Sequence, residues 1–84
     1  MLDQYRKKID QIDAKIIKLI SQRYKITKKI GDFKKAKNIN TVDPKREKQI
    51  LTNVEKIADY LGLPTKKVIS VFKNIFKISY HSQK

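Results

Sequence analysis

Apolar residues recur every seven positions from the start of the chain. Leu2, Ile9, Ile16, Arg23 and Ile30 form one row, and Tyr5, Ile12, Leu19, Ile26 and Phe33 form the other. Two rows at that spacing make the seam of a helix that packs lengthwise against another helix. Only Arg23 interrupts it with a charge. The pattern predicts a first helix over about residues 3 to 34. Gly31 lies inside it and costs about 1 kcal/mol relative to Ala. Lys35 to Val42 is polar and reads as a loop. Asp43-Pro44 then reads as an N-cap followed by Pro at the first helical position. A second helix follows over about 44 to 61, with Ile50, Val54, Ile57 and Leu61 on one face. Gly62 suits the position just past its end. Pro64 opens a third helix holding Val68, Val71, Phe72, Ile75 and Phe76. No stretch alternates like a strand, so the expected class is all-α: one long helix and two shorter ones.

The first helix is too long for the chain. At 1.5 Å per residue it spans roughly 46 Å, whereas a compact chain of this size has a radius of gyration near ~12 Å. An apolar seam that overshoots its own globule needs cover, and a second copy of the chain is the simplest source. The 84 residues allow one domain at most. With no cysteine there is no disulfide and no thiolate metal site. No apolar run approaches the ~20 residues of a membrane span, and the charged N-terminus has no signal-like apolar region. These features lead to the expectation of a soluble, cytoplasmic protein.

The net charge of +13 attracts anions of any kind: nucleic acid, a membrane surface or a small polyanion. Its makeup says more. Nearly all of it is lysine, and Arg6, Arg23 and Arg46 are the only arginines. Arginine is the rigid fork that grips carboxylate or phosphate in two places. Arg23 sits on the seam, where an unpartnered guanidinium is costly, so either an anion or a structural acid such as Glu47 belongs beside it. Lys34 lies eleven residues on, within about 20° of the same face and about 16 Å away, so both side chains can reach one ligand; plain solvated surface is the alternative. Arg6 lies about 26 Å up the helix and roughly 100° around it. It cannot share a small ligand with Arg23 of its own chain, so it either acts across a dimer or is exposed surface. Asp43 is explained as a cap, while Glu47 continues the apolar face and points inward. Ser79 and Gln83 extend the Phe72/Phe76 stripe as neutral polar groups, or simply mark a fraying helix end. His81 is off that face. One histidine and no cysteine leave no hydrolytic triad and no metal set. A rival motif runs from Ile57 through Gly62 and Pro64 to Val68 and Val71. It has helix-turn-helix spacing, with Lys66, Lys67 and Asn74 placed to meet DNA.

Taken together, these stretches resemble the helical (type II) chorismate mutase family. They are residues 6–13 (RKKIDQID), 16–23 (IIKLISQR), 30–34 (IGDFK), 42–47 (VDPKRE) with 49–51 (QIL), 62–64 (GLP), and Phe72 through Ser79 to Gln83. The resemblance covers the chain without gaps. It implies an intertwined homodimer of three-helix chains with two equivalent sites, converting chorismate to prephenate in phenylalanine and tyrosine biosynthesis. By the same resemblance, Arg23 grips one substrate carboxylate and Arg6 of the other subunit the second. Lys34 contacts a carboxylate and the ether oxygen. Glu47 and the backbone of Asp43 hold the ring hydroxyl, Ser79 contacts a carboxylate, Gln83 places its amide near the ether oxygen, and Arg46 supports from behind. No cofactor or metal is implied, and neither nucleic acid nor membrane is an expected partner. An isochorismate-pyruvate lyase shares this fold and similar anion contacts.

Overall fold

The computed structural model describes residues 1–81. Three helices follow in order: α1 (Leu2–Ala36), α2 (Pro44–Tyr60) and α3 (Thr65–His81). No strand occurs among the described residues.

α1 runs two residues further than the seam predicts. Lys35 and Ala36 are polar or small, but both are good helix formers. The stop comes from Asn38, which adopts the left-handed conformation at φ 56°. There the amides of Asn38 and Ile39 return to the carbonyls of Lys35 and Lys34 at 3.1 and 2.8 Å, the double closure that satisfies a helix's last carbonyls. α2 starts as expected. The Asp43 carboxylate accepts from the Arg46 amide at 3.0 Å, and Pro44 gives up no needed donor at the first position. α2 ends at Tyr60 with the same device, centred on Gly62 at φ +71°. The amides of Gly62 and Leu63 bond the carbonyls of Asp59 and Ala58 at 3.2 and 2.9 Å. Pro64 precedes α3 rather than joining it, and its carbonyl accepts from Lys67 and Val68 at 3.0 and 3.1 Å. The Thr65 hydroxyl donates to the Asp59 carboxylate and ties this joint together.

α3 is the hub. It packs against both α2 and α1, while the backbones of α1 and α2 stay apart and only their side chains approach across a cavity. Val54, Ala58 and Phe76 are the buried apolar side chains. Val68 and Phe72 face Val54, Ile57, Ala58 and Leu63 around a small apolar cavity. Of the positions that read as a helix-turn-helix motif, Ile57, Ala58, Leu63 and Val68 line the α2–α3 joint, whereas Val71 is exposed.

The molecule measures 55 × 24 × 14 Å, with a radius of gyration of 15.7 Å. The long dimension is α1. Its seam is uncovered: Ile9, Ile12, Leu19, Ile26 and Phe33 remain 54–61% exposed. On the other helices Ile57, Leu61 and Val71 are exposed to a similar degree. No helix among the described residues is long and apolar enough to cross a membrane.

Candidate active site

Five of the candidate side chains gather where α3 packs against the other two helices. Arg23 comes from the middle of α1, Asp43, Arg46 and Glu47 from the first turn of α2, and Ser79 from the last turns of α3. These five line one cavity of about 80 Å³, with Thr27, Ile50, Phe76 and Tyr80 completing the wall. A second cavity of about 260 Å³ adjoins it, sharing Arg23, Thr27, Arg46 and Ile50 and bounded outside by Ile26 and Ile30 of the seam. Side by side they reach the lower end of small-ligand pockets, ~300 Å³. Ile26 and Ile30, which line the larger cavity, are themselves about half exposed on the uncovered seam.

Arg23 is held from two directions. One guanidinium nitrogen donates to the Ser79 hydroxyl at 2.7 Å, and that hydroxyl donates in turn to the Ile75 carbonyl at 3.2 Å. The guanidinium lies over the Phe76 ring, 5.7 Å from its centroid, an attraction between cation and ring face. The structural ion pair with Glu47 does not form. Burial, and next the nearby Arg46 guanidinium, pull the Arg23 pKa below its ordinary value; Tyr80 acts weakly the other way. Guanidinium stays charged at neutral pH regardless.

Arg46 stands closer to the site than its expected supporting role. Its backbone caps on Asp43, its side chain donates to Gln49 at 3.4 Å, and it walls both cavities alongside Arg23. Lys34 is adjacent but engaged. It pairs with the Asp43 carboxylate at 3.7 Å, so α1 and α2 are linked through charge where they do not pack. Glu47 points inward as expected and accepts a hydrogen bond from the Tyr80 hydroxyl at 2.5 Å. Burial first, then that bond and the Glu47 charge, push the Tyr80 pKa up to about 12, with a backbone contact to Asp43 opposing.

The sequence reading missed Tyr80, Thr27 and Phe76 as parts of the wall. Phe76 read as core, and Thr27 lies one helical turn beyond Arg23. Arg6 is exposed and remote, about 26 Å along α1 from Arg23. Gln83 lies outside the described residues. Among those residues no cluster of His, Cys, Asp and Glu could hold a metal ion.

This arrangement brings two guanidiniums, Arg23 and Arg46, to two adjoining cavities, the larger of which has no carboxylate in its wall, and neither wall holds a histidine or cysteine; that suits a compact anion. The profile of "Chorismate mutase type II" matches residues 5–84. The chain belongs to the type II chorismate mutase family. It is 34% identical over 83 residues to the chorismate mutase of Methanocaldococcus jannaschii, covering 99% of this chain and 84% of that protein. It is 31% identical over 77 residues to the bifunctional chorismate mutase/prephenate dehydratase of Aquifex aeolicus, covering 88% of this chain but 21% of the relative. With the T-protein of Enterobacter agglomerans it shares 27% over 82 residues, 98% of this chain and 22% of the relative. The chain is thus nearly the length of the first and about a fifth of the other two.

Proposed function

We infer that this site carries out the family's reaction, the rearrangement of chorismate to prephenate, a step of phenylalanine and tyrosine biosynthesis. The observation that carries the reading is the convergence of Arg23 and Arg46 on one cavity, close enough that the Arg46 charge lowers the Arg23 pKa, while the Glu47 carboxylate on the same wall is bonded to Tyr80. Two close guanidiniums repel until an anion lies between or beside them, and chorismate is a dianion. Its rearrangement is unimolecular: one carbon–oxygen bond breaks as a carbon–carbon bond forms within the same molecule. The reaction calls for no nucleophile and no proton transfer. A site accelerates it by holding the compact chair conformer and by stabilising negative charge that grows on the ether oxygen.

The roles then divide. Arg23, preset by Ser79 and Phe76, takes one carboxylate, and Ser79 contacts the same group. Lys34 leaves Asp43 to meet the substrate carboxylate and ether oxygen. Glu47 and the Asp43 backbone take the ring hydroxyl. Gln83, whose amide donates at any pH, serves the ether oxygen. Arg46 keeps the cavity positive.

The second carboxylate falls to Arg6 of a second copy. A two-fold axis across α1 pairs the seams antiparallel, bringing the N-terminal turns of one chain beside the Arg23–Ile30 stretch of the other. That pairing covers the exposed seam, including Ile26 and Ile30 at the wall of the larger cavity. The reading is therefore a homodimer with two shared sites, and the whole chain works as one catalytic unit.

The test mixes variants. Arg23→Ala alone lowers kcat/KM by about 10²–10³ or more, the scale for losing one charge-stabilising donor, while circular dichroism stays helical. Arg6→Ala alone is similarly impaired. Unfolded and refolded together in equal amounts, the two recover up to about a quarter of the wild-type sites, because half the dimers are mixed and each holds one intact site. No recovery would remove Arg6 from the partner's site. A chain that leaves chorismate unchanged would overturn the whole reading.

A further inference from the structure

Tyr80 has no part in the roles assigned above, yet it makes the sole described hydrogen bond to the Glu47 side chain. The two residues come from different helices, 33 positions apart, and meet at the wall of the smaller cavity. Glu47 has three rotatable bonds and two cationic neighbours on the same wall, Arg23 and Arg46. Left to itself, its carboxylate would swing to a guanidinium. Such a pair would quench the acceptor meant for the ring hydroxyl and one of the cations meant for the substrate. A tyrosine hydroxyl opposes this at little electrostatic cost, since it donates one hydrogen bond and carries no charge. It occupies Oε1 and leaves Oε2 to accept from a ligand.

We propose that Tyr80 is a positioning residue for the ring hydroxyl of the substrate: it anchors the Glu47 carboxylate away from Arg23 and Arg46 and keeps one of its oxygens facing the cavity. This rests on the reading of the site as a chorismate site. Ser79 and Tyr80 then act as a matched pair. One residue at the end of α3 holds the cation of α1, and the next holds the anion of α2.

Because the ring hydroxyl is bound alike before and during rearrangement, the effect falls on binding rather than on the chemical step. In the full-length chain, Tyr80→Phe removes only the hydroxyl. It raises KM about tenfold, the scale of a hydrogen bond to a charged group, and leaves kcat within about twofold. The same substitution made in a Glu47→Ala chain changes KM by less than about twofold, because the group it acts through is gone. A Tyr80→Phe chain with unchanged KM overturns the proposal while leaving the site reading intact. An equal loss in both backgrounds also overturns it, since Tyr80 would then act on the substrate or the fold directly. Thermal melts of the four chains separate a folding defect from either result: a KM rise that accompanies an equal loss of stability in both backgrounds counts against positioning. A wild-type chain inert toward chorismate overturns both proposals.

Discussion

Arg23 is the residue whose environment most departs from its neighbours', and the sequence announces it. A charge in a row otherwise made of Leu and Ile has to be answered by the fold, and Ser79 and Phe76 answer it. Tyr80 was not legible in the same way. Reading α3 as one stripe through Phe72, Phe76 and Ser79 assigns each residue to a single face. At the end of α3 two helices lie close, and Tyr80, about 100° around from Ser79, reaches the second. Periodicity puts Lys34 on the face of Arg23, but its pairing with Asp43 depends on how the loop returns, which periodicity does not encode. The Tyr80 environment gives a pH prediction with a definite sign. Its pKa rises from 10.0 to about 12, so the folded state favours the protonated phenol. That contribution to stability is complete below pH 10 and is lost as pH climbs through about 12. Urea midpoints should therefore fall across this window in the wild-type chain and fall less in Tyr80→Phe. Every other group is common to both chains and cancels in the comparison. Parallel curves would mean that the phenol feels no such environment.

Helix identity was plain from periodicity, whereas helix ends were decided by backbone conformations that periodicity does not report. Gly62 could be foreseen, because glycine enters the left-handed region freely. Asn38 was read as part of a polar loop, and its left-handed turn is what ends α1 at Ala36. Nothing lies within 4 Å of a Cβ built on Gly62, so a side chain there meets open space and only backbone strain. Gly62→Ala is expected to cost about 1–2 kcal/mol, which is roughly 4–8 °C in melting temperature per kcal/mol for a domain of this size. Gly62→Asn should cost less, since asparagine tolerates this conformation. Equal melting temperatures for glycine and alanine would show that the turn relaxes. The element most dependent on it is α3, which carries Ser79 and Tyr80 to the cavity.

At the scale of the molecule, two facts pull in opposite directions: a seam that asks for cover and a net charge of +13 that resists a second copy. The overshoot of α1 was readable from length alone, while the shape of the cavity it leaves open was not. If a second copy covers the seam, the melting temperature rises with protein concentration. Calorimetry over a hundredfold range of concentration checks this, and an unchanging midpoint would count against pairing. The charge should also draw in a dianionic substrate, so kcat/KM at saturating dimer is expected to fall as salt is raised from about 0.01 to 0.15 M, where the screening length shrinks from ~30 to ~8 Å. The position of the seam in chain order has a consequence for how the molecule is made. At ~5–20 residues per second, α1 is synthesised seconds before α3. Neighbouring chains growing on one message would expose finished seams to each other while Ser79 and Tyr80 have yet to be added. If the seam pairs two copies, the surface that chooses a companion is in place before the surface that chooses a substrate exists.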